Sequence, residues 1–247
     1  MSIGTVWSFA NWLGLNVGWR VVFAGVSAIA LTTAVAVQLL APLQPADAER
    51  SFRRELRALA RPQVLLTLGA GAVGFGGLFA VYSFLAPVLT EYTGVAPSSV
   101  PWIFVIFGLG ILAGNLLGGW MADISLKAAA VGLLLWSALF LAAFTLVASN
   151  VWLLSIVCFA IGMGGGLGPI LQVRLMDVAG EAQTLAAALH HAAFNLANAL
   201  GPWLAGLAIT AGMGWTAPGW IGLALGLKHA GRQVIGRVAC FDRNRHL

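Results

Sequence analysis

PLQPADAERSFRRELRALARP, residues Pro42 to Pro62, is the only long polar interval between apolar runs in this chain of 247 residues. It carries Arg50, Arg53, Arg54, Arg57 and Arg61. Short loops rich in arginine are retained on the cytoplasmic side when apolar segments insert into a bilayer. The interval therefore sets the direction of every span on either side of it. Within it, Ser51 to Ala60 has helical spacing, with Phe52, Leu56 and Leu59 on one side and arginines on the other, which suits a helix lying on the membrane surface.

Outward from this loop the chain is apolar. Hydrophobic residues make up 60% and charged residues 9%, where soluble domains carry roughly a quarter charged. Mean hydropathy is +0.92. A crossing takes about 20 apolar residues, and the runs long enough are Val21–Ala41, Gln63–Leu85, Trp102–Met121, Ala128–Ala148, Val151–Val173 and Thr184–Ala211, with Trp215–Leu227 as a shorter return. The reading is an all-α, polytopic transmembrane helix bundle in the lipid bilayer of the plasma (inner) membrane. Its parts are 1–41, the central loop 42–62, a bundle over 63–227 and a basic tail over 228–247.

Strict alternation from a cytoplasmic Arg-rich loop gives a test by counting. Of the 13 basic residues, only Arg20 falls outside. Arg50, Arg53, Arg54, Arg57, Arg61, Lys127, Arg174, Lys228, Arg232, Arg237, Arg243 and Arg245 fall inside, so loop and C-terminus are both expected to be cytoplasmic. The net charge of +5 is thereby a topology signal, and nucleic acid is not an expected partner. Cys158 lies in an apolar run and Cys240 in the polar tail, so no disulfide framework follows. Met1 to Leu15 lacks a positive n-region and is not a signal peptide; it reads as the end of a span whose beginning is missing. Trp215–Leu227 is short for a crossing, so either that helix thins the bilayer or the natural ending is replaced, and the deficit favours replacement.

Several motifs resemble the major facilitator superfamily, specifically its drug and sugar efflux proton antiporters of the arabinose-efflux-permease kind. Gly18-Trp19-Arg20 with Phe23 resembles the junction of that family's helices five and six. Glu55-Leu56-Arg57-Ala58-Leu59 with Arg61-Pro62-Gln63-Val64 resembles its central loop. Gly74-Phe75-Gly76-Gly77, Tyr82-Ser83 and Ala86-Pro87 resemble helix seven. Gly114-Asn115-Leu116-Leu117-Gly118-Gly119 with Ala122-Asp123 resembles the loop motif between helices eight and nine. Arg174-Leu175-Met176-Asp177 with Gly180-Glu181, and Ala193-Phe194-Asn195 with Asn198-Ala199-Leu200-Gly201, resemble helices ten and eleven. The resemblance implies the C-terminal six-helix half of a twelve-helix fold plus the end of the preceding helix. It also implies a small-molecule substrate path between two halves near mid-membrane, with the N-terminal half or another half-carrier as partner and protons as the coupling ion.

Thr184, His191, Asn195 and Asn198 fall on one side of a single helix. Two readings stand for this stripe: interhelical hydrogen bonding, or a substrate or proton pathway in which His191 titrates near neutral pH. His190, about 100° round the helix, carries less weight. Tyr82, Ser83 and Gln172 are further candidates for a cavity wall. Gly114, Gly118, Gly119, Asp123, Arg174, Asp177 and Glu181 form the candidate conformational loop motif. For Asp123 the resemblance implies a seat at the start of helix five. Arg174, Asp177 and Glu181 can form i,i+3 and i,i+4 pairs. Gly69, Gly71, Gly74, Gly76 and Gly77, like the row at 110, 114 and 118, suit close helix packing, and Pro169 and Pro202 are expected to bend their helices. No carboxylate lies near the middle of a clear crossing. The chain shows no phosphate loop, no nucleophile with a base, no Cys/His metal cluster and no cofactor motif, so an enzyme is not expected. The functional expectation is proton-coupled efflux of small organic solutes or drugs by alternating access; the alternative is a non-transporting fragment or structural half-carrier partner from a disrupted gene.

Overall fold

The computed structural model describes residues 18–40 and 62–226. The Arg-rich loop, the surface helix expected over 51–60, residues 1–17 and the tail from 227 lie outside the described residues. Five helices are long and apolar enough to cross a membrane: Arg20–Leu40, Pro62–Tyr92, Pro97–Val147, Val151–Ala179 and Leu185–Met213. The third is two crossings joined end to end. Among the described residues there is no strand.

Helix α1 (Trp19–Leu40) is exposed along its length. Its hydroxyls turn inward: Ser27, Thr32 and Thr33 donate to the carbonyls of Phe23, Ala28 and Ile29 at 2.8, 2.8 and 2.9 Å. The outer surface is left apolar, as lipid or a neighbouring helix requires.

Helix α2 (Pro62–Pro87) runs into a π-helical turn, Val88–Tyr92. It stops where Thr93 returns its N–H to Val88 O (2.9 Å) and Gly94 takes φ +77°. The Thr93 hydroxyl also donates to Ala148 O at 2.7 Å, tying this end of α2 to the end of α3. Helix α3 (Val100–Val147) breaks at Ser125, whose φ −163° and ψ 103° are extended. Ser125 Oγ accepts from Ala128 N at 3.4 Å, so one serine ends the first arm and caps the second.

Helix α4 (Val151–Met163) starts on Asn150, whose side chain accepts from the backbone N–H groups of Trp152 and Leu153. A 3-10 turn, Gly164–Gly166, joins it to α5 (Leu167–Ala179). Pro169 occupies the first turn of α5, where its missing N–H leaves little to lose. Gly180, at φ +60°, turns the chain into α6 (Gln183–Ala208), which contains Pro202. Gly212 and Gly214 turn it again, and α7 (Ala217–Gly226) is a shorter apolar helix.

Glycine rows bring these backbones together. A methyl added at Gly110 or Gly114 would collide with the carbonyl of Phe159 or Met163, and one at Gly118 would sit 2.8 Å from Gly166 O. The first arm of α3 is thereby pressed onto α4. Across the bundle a methyl at Gly201 would meet the Gly76 carbonyl, and one at Gly77 would lie 2.8 Å from Gly222 Cα. Gly219, Gly222 and Gly226 of α7 close on Leu141 and Ala138 in the second arm of α3. Between these seams lie two apolar cores, one around Leu85, Phe107, Leu141 and Phe144, the other around Phe75, Leu134, Leu167 and Leu171.

The pairings place the chain reversals at two ends. Residues 92–97, 148–150 and 212–216 share one end; Ser125 and residues 180–182 share the other. Asp123, Lys127, Arg174, Asp177 and Glu181 belong to the second end, and Glu91 to the first. Trp102 and Trp120, 69% and 62% exposed, stand on one arm about 27 Å apart at 1.5 Å per residue. That matches a hydrocarbon core of about 30 Å with indoles at its borders.

Candidate functional site

Helix α6 carries three different faces. Ala186, His190, Ala193, Ala197, Gly201, Ala205 and Ala208 are buried, a spine of small residues that lets α2 approach. His191, Asn195 and Asn198 are exposed and lie within about 60° of one another round the helix. Leu196, Trp203 and Leu207, 51%, 59% and 49% exposed, lie about 130° further round. One exposed edge is polar and the other apolar. Among the described residues no side-chain hydrogen bond is made by His191, Asn195 or Asn198, so the described bundle does not itself satisfy them. Nothing is described of the Thr184 side chain.

Beside the polar edge is an aromatic cluster that the sequence reading did not identify. Phe194 packs on Phe75 with ring centroids 3.8 Å apart and meets Phe79 edge-on at 5.8 Å. It also covers Gly168 of α5, where an added methyl would lie 3.5 Å from its ring. His190 is buried and tilts against Phe194 at 5.6 Å, with the His191 ring 5.7 Å away. The signal was present as the i,i+4 pairs Phe75/Phe79 and His190/Phe194, but such pairs also occur in ordinary cores.

The other candidates are distributed. Tyr82 is half-buried and turns to α3, its ring 5.3 Å from Phe104 and 5.4 Å from Phe107. Ser83 is exposed and Gln172, on α5, is half-buried. Gly114 and Gly118 are consumed by helix contact, whereas a methyl at Gly119 would meet nothing within 4 Å. Asp123 is exposed two residues before the Ser125 break; Arg174 is half-buried and Asp177 exposed on α5. Glu181 falls in the 3-10 turn Gly180–Ala182. Among the described residues no three or more His, Cys, Asp or Glu side chains gather as metal ligands.

Comparison with known proteins bears on this arrangement directly. The family model of the Major Facilitator Superfamily matches residues 67–227, from inside α2 to just past α7. The chain belongs to the major facilitator superfamily. It is 35% identical over 208 residues to the inner membrane transport protein YdhP of Escherichia coli K12, covering 84% of this chain and 54% of that one. It is 32% identical over 247 residues to the chloramphenicol resistance protein of Streptomyces lividans, covering 94% of this chain and 62% of that protein. The putative transporter AraJ of Escherichia coli K12 is 26% identical over 218 residues, covering 83% and 55%. The chain spans about half the length of the curated relatives it matches. Family and apolar helices together make it a multi-pass membrane protein of a transporter family, with the all-α bundle that the sequence led us to expect.

Proposed function

We propose that this chain forms one wall of an exporter of small organic solutes or drugs, working by alternating access in the inner membrane with protons as counter-ion. The observation that carries the reading is the divided exposed surface of α6. Asparagine and histidine facing hydrocarbon are costly, and an apolar edge for lipid already exists at Leu196, Trp203 and Leu207. The polar edge at His191, Asn195 and Asn198 therefore belongs to a water-filled path opposite a second half. The Phe75, Phe79 and Phe194 cluster supplies the apolar surface that binds an organic solute. A cargo of the chloramphenicol kind suits such a wall, and the name of the Streptomyces relative supports it. The end that carries Asp123, Lys127, Arg174 and Asp177 continues into the Arg-rich loop and is assigned to the cytoplasm.

The test is export from cells lacking their own exporters, with this chain co-produced with the N-terminal half of a relative. Dye accumulation should fall on co-production, rise again with His191→Ala or Asn195→Ala at unchanged membrane abundance, and depend on the proton gradient. Full export by both variants would remove the assignment of the polar edge.

A further inference from the structure

Trp136 stands eleven residues from Ser125 and eleven from Val147 on the second arm of α3, about 16 Å from either end at 1.5 Å per residue. Indoles gather at membrane borders, so one at this depth needs a partner for its N–H within the protein. That partner is a backbone group of another crossing. In an unbroken α-helix the Gly164 N–H would go to the Ala160 carbonyl. Here it turns to the carbonyls of Ile161 and Gly162, and Ala160 O accepts from Trp136 Nε1 at 2.8 Å. Ala160 is buried, and a carbonyl without a donor inside a bilayer is costly. The next residue closes on the turn from the same side: a methyl at Gly164 would run into Ser137 Oγ, and one at Gly166 into the Gly114 carbonyl on the first arm. The 3-10 turn is held between both arms of α3.

We infer that Trp136 is a positioning residue, whose indole N–H holds Gly164–Gly166 in the 3-10 form and thereby sets which face α5 presents and where Gln172 stands. A 3-10 turn winds about 120° per residue and rises about 2.0 Å, against about 100° and 1.5 Å in an α-helix. Over three residues the difference is about 60° of rotation and about 1.5 Å of rise. Everything beyond the turn inherits it. If the Ala160 carbonyl returned to the Gly164 N–H, the half-buried Gln172 and Arg174 would be carried round the axis of α5 by that amount. Pro169 offers no resistance, since it lacks the N–H that would tie the first turn of α5 to Gly165. The effect on cargo rests on the export reading, in which Gln172 belongs to the wall of the path; the hold on the turn does not.

Cysteine labelling of the purified full chain in detergent, in a Cys240→Ser background, tests the hold without any transport step. Trp136→Phe keeps a ring beside Phe140, so the bundle folds while the donor is lost. An aqueous maleimide should then react with Gln172→Cys at a rate changed about threefold, because exposure governs thiol reactivity, and with Asn195→Cys on α6 at the parental rate. Asn150→Ala is the control: it removes the cap of the same crossing without touching the turn, and should leave the Gln172→Cys rate as it is. A parental Gln172→Cys rate in Trp136→Phe, or the same change in Asn150→Ala, would overturn the inference. Dye export by the co-produced halves separates the two readings. Trp136→Phe should raise the dye's KM with Vmax retained; a shifted labelling rate with unchanged KM would remove Gln172 from the path and leave the positioning by Trp136 in place.

Discussion

Two glycines five residues apart on the first arm of α3 make opposite predictions for the same chemical change. At Gly114 an added methyl would lie 2.6 Å from both Met163 C and Met163 Cα and would run into that residue's carbonyl oxygen. All of these are backbone atoms, so no side chain can swing aside and α3 must retreat from α4. Overpacking of this kind costs about 1–3 kcal/mol, and the rigidity of both partners places Gly114→Ala near 2 kcal/mol. At Gly119 the added methyl meets nothing within 4 Å. Gly119→Ala should therefore stay within about 0.5 kcal/mol of the parent, on the stabilising side if helix propensity counts. The reporter is built in. Cys158 is buried at 0% exposure on α4, next to the Phe159 carbonyl that receives Gly110. In a Cys240→Ser background a maleimide dye reacts with Cys158 only when the bundle opens. When opening is fast relative to labelling, the rate follows the open population, so 2 kcal/mol appears as about a 30-fold faster reaction. Equal rates for Gly114→Ala and Gly119→Ala would show that the α3–α4 seam is not the close contact described, and the packing account would fail with it.

Three further outcomes follow from the same structure. Trp136→Phe removes the indole N–H that donates to Ala160 O at 2.8 Å while keeping an aromatic ring beside Phe140; detergent unfolding should show a loss of about 1 kcal/mol. Asn150→Ala leaves the N–H groups of Trp152 and Leu153 without their cap, and thermal unfolding should register about 1 kcal/mol, with Asn150→Asp close to the parent. For orientation, in the Cys240→Ser background an impermeant maleimide applied to intact cells should label Ser98→Cys and spare Lys127→Cys. The reverse pattern would invert the proposed topology.

Much of the bundle is legible in the sequence because lipid imposes a single requirement on every crossing, an apolar run with its hydrogen bonds closed internally. The glycines at 110, 114 and 118 could be read as a packing row because their spacing returns to one helix face. The 3-10 turn at Gly164–Gly166 could not be placed in the same way. A proline announces itself by residue type, whereas three glycines in an apolar run carry no sign of where the hydrogen-bond pattern tightens. The short Trp215–Leu227 run looked anomalous by length. Its glycines at 219, 222 and 226 nevertheless meet α3 and Gly77 closely, a register visible only once the partners are known. For His190 and His191 the sequence gives an angle between neighbours but not which of them faces α2. Burial resolves that: His190 belongs to the packed spine and His191 to the open edge.

The division of α6 also constrains how an exporter built on this half would move. Gly76 with Gly201, and Gly77 with Gly222, hold α2, α6 and α7 at backbone contact, and the glycine seam between α3 and α4 does the same across the bundle. Packed interfaces of this kind resist continuous deformation, so sliding one helix past another within the half would require several such contacts to separate together. The exposed polar edge has no such obligation, since the side chains of His191, Asn195 and Asn198 make no hydrogen bond among the described residues. On the proposed reading, the cheap motion is therefore the whole half rocking against its partner, as in carriers built from structural repeats. The polar edge and the Phe75–Phe194 cluster would then be carried as one rigid wall from one side of the membrane to the other.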